Sequence, residues 1–393
     1  MTKVSVFSKE LKNVVAALNR SAAPASRNGD LSGNGEFVVQ IEGKTMSIYS
    51  QNPAVKGRGV IDTSNEGDAV TSVTFLVSAK ILGSIVNVLH NDVTTLAVEG
   101  QQLTIQSGDA KFNLIIGLKD ANIPTLDKGN TVFTTSYSEE EWAALKTKLA
   151  FAAAPNGDGN PVFQNLSVKK EAGKVSLFVS DGHILATTEM NTVGDNSSIS
   201  TIVNKDVLGV GVKGDVTVSF SPEFTYLETG NMTYSFATIV GVMPDFERVI
   251  PRVNVKASFN KKDAMEALAK VGIVANCEIL NGKERVGSHG VQVYFAKEKI
   301  VLYTENRMLG NVRADLLAQV TPLMEGTKIT VAFSYLANAV KACSDGVCSI
   351  LGDVQNDGLG LRPLTVKEDG NEAYKVVFSP LRSKDGYALE GKL

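Results

Sequence analysis

Cysteine is nearly absent: Cys277, Cys343 and Cys348 are the only three in 393 residues, too few for a disulfide framework. The last two are spaced C-x4-C, but no second Cys or His pair completes a zinc site. They read as reduced, buried thiols, which points to the cytoplasm. Histidine is as scarce, with His90, His183 and His289 far apart. No G-x-S-x-G, H-E-x-x-H or Walker pattern accompanies them, and the short G-x-G runs at Gly209 and Gly358 lack the strand-to-helix context of a nucleotide loop. The expectation is a chain with no catalytic centre, metal or cofactor. No apolar run approaches the roughly 18 residues of a membrane span, and the opening MTKVSVFSKELK has no apolar core of a signal peptide. Aromatics make up only 7% and are scattered, against a platform for stacking single-stranded bases. A net charge of -3 gives the chain as a whole no affinity for nucleic acid, so any such role depends on where the charges sit.

What the chain does have is a threefold repeat of about 130 residues. VFSKELKNVVAAL from Val6, SYSEEEWAALKTKL from Ser136 and SFNKKDAMEALAKV from Ser258 each read as a short extended stretch entering a helix. Ser8, Ser138 and Asn260 stand at the expected N-caps. In the first helix Leu11, Val14, Val15 and Leu18 share one face. A second helix follows in each repeat: Leu82, Ile85, Val86 and Leu89 line one face of 78–90, and Leu336, Ala339, Val340 and Cys343 one face of 334–343. The middle repeat offers only 204–212, where Gly209 and Gly211 predict a short helix. Alternating strands fill the rest, as in VQVYFAKEKIVLYTEN and YKVVFSPLR. Pro-bearing exits at Gly117–Leu126 and Gly241–Pro251 divide the chain into 1–129, 130–252 and 253–393. Each segment is an α+β unit with two helices on antiparallel sheet.

The six helical segments hold eleven Lys/Arg and seven Asp/Glu, whereas the remainder holds 28 and 35. At 100° per residue Lys9, Arg20, Lys80, Lys270 and Lys341 lie opposite the apolar stripes, and Lys12, Lys148 and Lys262 flank them. With Lys205 these make the candidate DNA-facing set. Cations repeated on helix faces, without an Arg/Asn cluster for base edges, suit attraction to phosphates independent of sequence.

FVSDGHILA (Phe178 to Ala186), PDFERVIP (Pro244 to Pro251), VVFSPLR (Val376 to Arg382), LTIQSGDAKFNL with IPTL, and YLANAVKA (Tyr335 to Ala342) resemble, in order and spacing, signature stretches of the bacterial-type β sliding clamp family. The resemblance covers all three repeats and implies two chains closed head to tail into a ring, with helices lining the hole and sheets outside. It implies a homodimer that encircles double-stranded DNA and confers processivity in replication, with the replicative DNA polymerase, a clamp loader and other clamp-binding-motif proteins as partners. A peptide groove between the second and third domains would be walled by Phe163, Ser180, Gly182, His183, Leu185, Pro244, Arg248, Val249 and Tyr335, with Val376, Val377, Pro380, Leu381 and Arg382. Ring closure would use Phe112 and Leu114 with Ile273 and Val274. The chain departs from the family at Ile184, where Arg is usual, in the loop around Arg27, and in a tail running past Arg382. Divergence of this degree suits a bacteriophage homologue as well as a bacterial one. The rival reading is a repeat adaptor that binds short peptides and no DNA.

Overall fold

The computed structural model describes residues 2–19, 21, 35–65, 72–118, 122–155, 160–191, 197–276, 279–281, 284–286, 290–306, 309–354 and 362–381. Arg20, Arg27, Cys277, His289 and Arg382 lie outside them. The helices fall where periodicity puts them: α1 Ser8–Leu18, α2 Ala79–Asn87, α3 Glu139–Leu149, α4 Asp206–Gly209, α5 Lys261–Ala275 and α6 Phe333–Ala342. As expected, α4 is a single turn; the Trp142 indole N–H donates to Val210 O just beyond it, at 3.4 Å.

Caps explain the starts. Ser138 and Glu141 form a reciprocal capping box before α3, each accepting from the other's backbone N–H. Asn260 Oδ1 accepts from Lys262 N at α5, and Ser78 Oγ from Ile81 N at α2. The first repeat differs from expectation. Ser8 already lies inside α1, where its hydroxyl meets Thr94 Oγ1 at 2.7 Å, and the N-cap position belongs to Phe7, which has no capping side chain.

The chain gathers into two compact units, Met1–Ala143 with Ser197–Val240, and Ala144–Asn196 with Gly241–Leu393. The first holds an eight-stranded antiparallel sheet in the order Phe133–Tyr137, Val216–Phe220, Phe224–Thr229, Met232–Ala237, Val55–Asp62, Thr45–Gln51, Glu36–Glu42, Val73–Ser78. Four of these strands come from the first sequence segment and four from the second, joined where Met232 pairs with Gly59 and Phe236 with Val55. A separate sheet of this unit ends on Ala110–Ile115.

In the second unit, eight strands lie side by side in the order Leu166–Glu171, Lys174–Ser180, Ile184–Asn191, Lys375–Phe378, Leu364–Glu368, Val347–Gly352, Val255–Asn260, Gln319–Val320. Here the second and third segments join, Ile184 opposite Phe378 and Leu185 opposite Val377. A four-stranded sheet of the same unit ends on Gly310–Leu317. The middle segment is thus shared between the two units.

The helices bury the faces the sequence assigns them. Leu11, Val14, Val15 and Leu18 are all buried. Strand Val55–Asp62 receives α1 through two bare positions. A Cβ at Gly57 would stand 2.8 Å from Leu18 Cδ2, and one at Gly59 2.4 Å from Val14 Cγ1. Glycine here is required by close approach of helix to sheet. Cys343 and Cys348 are buried free thiols.

Candidate peptide groove and basic helix faces

The groove residues are built around one hairpin of the second unit. Gly182 has φ +92°, a conformation that only glycine adopts readily. The turn is fixed by Asp181, whose Oδ1 accepts from His183 N and Ile184 N, each at 2.8 Å. Ser180 Oγ accepts from Gly182 N and donates to Ile184 O at 2.7 Å, so this hydroxyl is consumed inside the turn. Ser379 N donates to His183 O at 3.0 Å, stitching the C-terminal strand end to the tip.

Beside the hairpin lies an apolar floor. Phe178, Leu185, Phe246 and Val377 are buried together, with Phe163, Met243 and Ile250 partly buried against them. Phe246 enters from the 3-10 turn Phe246–Val249 and stacks on Phe178, centroids 5.2 Å apart. That turn is tied down by Lys169, which bonds Glu247 at 2.9 Å and Glu171 at 3.1 Å; these two carboxylates raise the Lys169 pKa. Around the floor Gly182, His183, Arg248, Leu381 and Val249 are exposed, Val249 to 49%, and Pro244 is half-buried. Arg248 Nε pairs with Asp245 at 2.8 Å. Leu381 N donates to Thr330 O at 2.9 Å. Tyr335, in the first turn of α6, donates its hydroxyl to Asp181 Oδ2 at 2.8 Å. Burial, and then that carboxylate, raise the phenol pKa and keep it a donor.

The fold therefore gathers most of the expected groove residues on one side of one sheet. Val376 is the correction: neighbouring strand residues point to opposite faces, so with Val377 on the floor Val376 is buried behind the sheet. The departure at Ile184 has the same cause, since Ile184 pairs with Phe378 and is buried. Phe178, Phe246, Met243 and Ile250 are absent from the sequence-derived set. Phe178, Phe246 and Ile250 stand inside the FVSDGH and PDFERVIP stretches, but only packing reveals their role.

The first unit repeats this junction with different chemistry. Asn52 Oδ1 accepts from Ala54 N and Val55 N, each at 2.8 Å, and Ala237 N donates to Ala54 O, as Asp181 and Ser379 do in the other unit. Lys56 and Ser235 then stand where Leu185 and Val377 stand. Lys56 Nζ bonds Thr125 O at 2.9 Å and Asp127 at 2.8 Å, and Ser235 Oγ donates to Asp127 O. The chain's own 125–127 stretch is thereby held against that face.

Lys9, Lys12, Lys80, Lys262, Lys270 and Lys341 are exposed on their helices, and among the described residues none joins an ion pair. Lys205 is half-buried at the start of α4. Lys148 is not a free cation: its Nζ lies 2.9 Å from Glu368 Oε1, the two side chains only 19% and 11% exposed. Of the expected closure residues Phe112 and Leu114 are half-buried on edge strand Ala110–Ile115. Ile273 is 75% exposed at the end of α5, whereas Val274 is buried in its own unit.

No profile of a known protein family matches the chain. A beta sliding clamp of Pseudomonas putida is 21% identical over 390 residues, covering 96% of this chain and 99% of the relative. The DNA polymerase III beta subunit of Thermotoga maritima superimposes with a TM-score of 0.82 at 19% identity, over 98% of this chain and 100% of that one. A Bartonella birtlesii sliding clamp bound to griselimycin gives a TM-score of 0.80 at 18% identity, over 97% and 100%. By sequence and by fold, along nearly its whole length, the chain is a divergent relative of the beta sliding clamps.

Proposed function

We propose that the chain is a DNA sliding clamp, a non-catalytic processivity factor that encircles duplex DNA without reading its sequence and tethers replicative polymerase and other proteins through the groove on its second unit. The observation that carries this reading is the set of six exposed lysines on α1, α2, α5 and α6, without carboxylate partners among the described residues, in a chain that is acidic elsewhere. Such cations attract phosphates through counterion release, and the absence of base-reading groups lets a ring move along the duplex. The groove, an apolar floor rimmed by a few polar groups, suits short peptide segments of partners.

The ring would be a head-to-tail homodimer of three-domain chains, domains 1–129, 130–252 and 253–393, with the helices lining the hole, working in the cytoplasm and opened by a clamp loader. Two sheet ends support this closure. Ala110–Ile115 and Gly310–Leu317 each pair on one side only, and each carries an exposed apolar residue, Ile115 at 91% and Leu317 at 76%. Pairing these edges between copies would cover them.

Topology is the test. Protein captured on circular duplex should survive dilution and be released when the circle is cut. Release at the same rate from circular and linear DNA would refute the clamp, and absence of DNA binding would leave a peptide adaptor.

A further inference from the structure

Both hairpin tips at the sheet junctions are tied to a helix, but by unlike bonds. In the first unit Asn52 Nδ2 donates to the backbone carbonyl of Ser21, just past α1, at 3.1 Å. That acceptor cannot leave without moving the chain. In the second unit the tie is the Tyr335 hydroxyl on Asp181 Oδ2, a side-chain group that one rotation can withdraw. The other oxygen of Asp181 holds His183 N and Ile184 N, and the Phe163 ring lies 3.8 Å from where a Cβ on Gly182 would stand. The position of the whole Gly182–His183 wall, between Phe163 and the Ser379 strand end, is thus referred through one carboxylate to α6.

We propose that Tyr335 is a positioning residue of the groove: it acts through Asp181, locking the Gly182–His183 wall at the width a bound ligand needs, rather than by touching the ligand. This inference rests on the groove reading above. A phenol–carboxylate bond on a fixed helix removes freedom from the wall before binding, and preorganisation of this kind raises affinity by lowering the ordering cost.

The probe is griselimycin, titrated by calorimetry against the full-length protein, with thermal unfolding recorded for every variant. Val249→Asp, on the exposed rim, tests the groove itself. Wild-type binding lost in this variant supports the groove; no wild-type binding, or binding indifferent to Val249→Asp, sinks the groove reading whatever Tyr335 does. Given binding in the groove, Tyr335→Phe should weaken it about fivefold or more. The same change made on top of Asp181→Ala should have no further effect. Asp181→Asn, whose amide can donate to the phenol oxygen while still accepting from the turn, should retain near-wild-type affinity, which serves if the alanine variant does not fold. Wild-type affinity in Tyr335→Phe, or an undiminished loss in the Asp181→Ala background, overturns the proposal.

Discussion

Lys148 separates a structural lysine from a DNA-facing one, and the two roles give opposite results on substitution. Glu368 Oε1 accepts from Lys148 Nζ at 2.9 Å, Ser344 N at 2.7 Å and Ser344 Oγ at 2.9 Å, while Oε2 accepts from Asn371 at 2.6 Å. Burial is the largest single influence on this carboxyl and raises its pKa. Lys148, Asn371 and Ser344 together outweigh it and bring the value down from 4.5 to about 2. A folded pKa below the unfolded one means stability that is complete above about 4.5 and lost as pH falls from there toward 2. A shift of this size corresponds to about 3 kcal/mol at neutral pH. Lys148→Met keeps the stem over the Tyr374 ring, from which Nζ is 4.9 Å, but leaves the carboxylate only its hydrogen bonds. Stripping the cation from a buried pair costs about 3–5 kcal/mol when nothing else compensates; with three neutral donors left, about 2 kcal/mol is expected. For a unit of roughly 200 residues that lowers the midpoint of its unfolding by about 4–8 °C, read by calorimetry at pH 7. Adding Glu368→Gln should restore most of the loss, and the deficit of the single variant should shrink below pH 4. The salt dependence of DNA binding should match wild type. An unchanged unfolding midpoint with a shallower salt slope would refute the assignment and return Lys148 to the DNA-facing set.

The exposed lysines should behave in the opposite way. Lys270→Gln with Lys341→Gln should leave unfolding within about 0.5 kcal/mol yet lower the slope of log K against log salt by about 0.9 for each phosphate no longer neutralised, measured by anisotropy on a duplex fragment. Gly59→Ala should destabilise the first unit by about 2 kcal/mol through overpacking against Val14; a stabilised variant in thermal unfolding would show that α1 does not seat there. Leu317→Asp should convert a particle of twice 41.8 kDa to monomer in light scattering without lowering the unfolding midpoint of the isolated chain, whereas persistence of the dimer would place closure elsewhere.

Much of the secondary structure was legible because periodicity is local. The stripe of Leu11, Val14, Val15 and Leu18 needs only a helix and a sheet to cover it, and the two glycines after Leu208 limit α4 to one turn. Partners were not legible. Any alternating strand offers the same edge, so nothing near Met232 announces Gly59, some 170 residues away, and the sheets cross segment boundaries that turn chemistry had marked as ends. Gly57 and Gly59 read locally as a weak strand, although they are the seat of a helix. The same limit governs the lysines. Lys270 and Lys341, opposite their stripes, have no direction but outward. Lys148 flanks its stripe, and a flanking stem reaches solvent or a buried carboxylate equally well. Glu368, more than two hundred residues later, decides which.

The groove raises the same issue within the fold itself. Two sheet junctions share hairpin geometry down to the Asx turn, yet the chain covers their outer faces by different chemistry. The difference is two residues per junction. Leu185 and Val377 put apolar surface on the face, and both are buried there in a cluster with Phe178 and Phe246. Lys56 and Ser235 put a cation and a hydroxyl there, and these bind the carbonyls of Thr125 and Asp127. The Lys56–Asp127 pair is about one-third exposed on either side and contributes on the order of 1 kcal/mol or less, so the charge alone does not hold the segment. What holds it is that backbone carbonyls lying on a sheet need donors, and Lys56 and Ser235 supply them. At the other junction no such donors stand at the paired positions, and the turn Phe246–Val249 instead brings the apolar Phe246 for Leu185 and Val377 to pack against. Whether a sheet face takes a backbone stretch or an apolar turn of the chain is therefore a matter of side-chain chemistry at two paired strand positions.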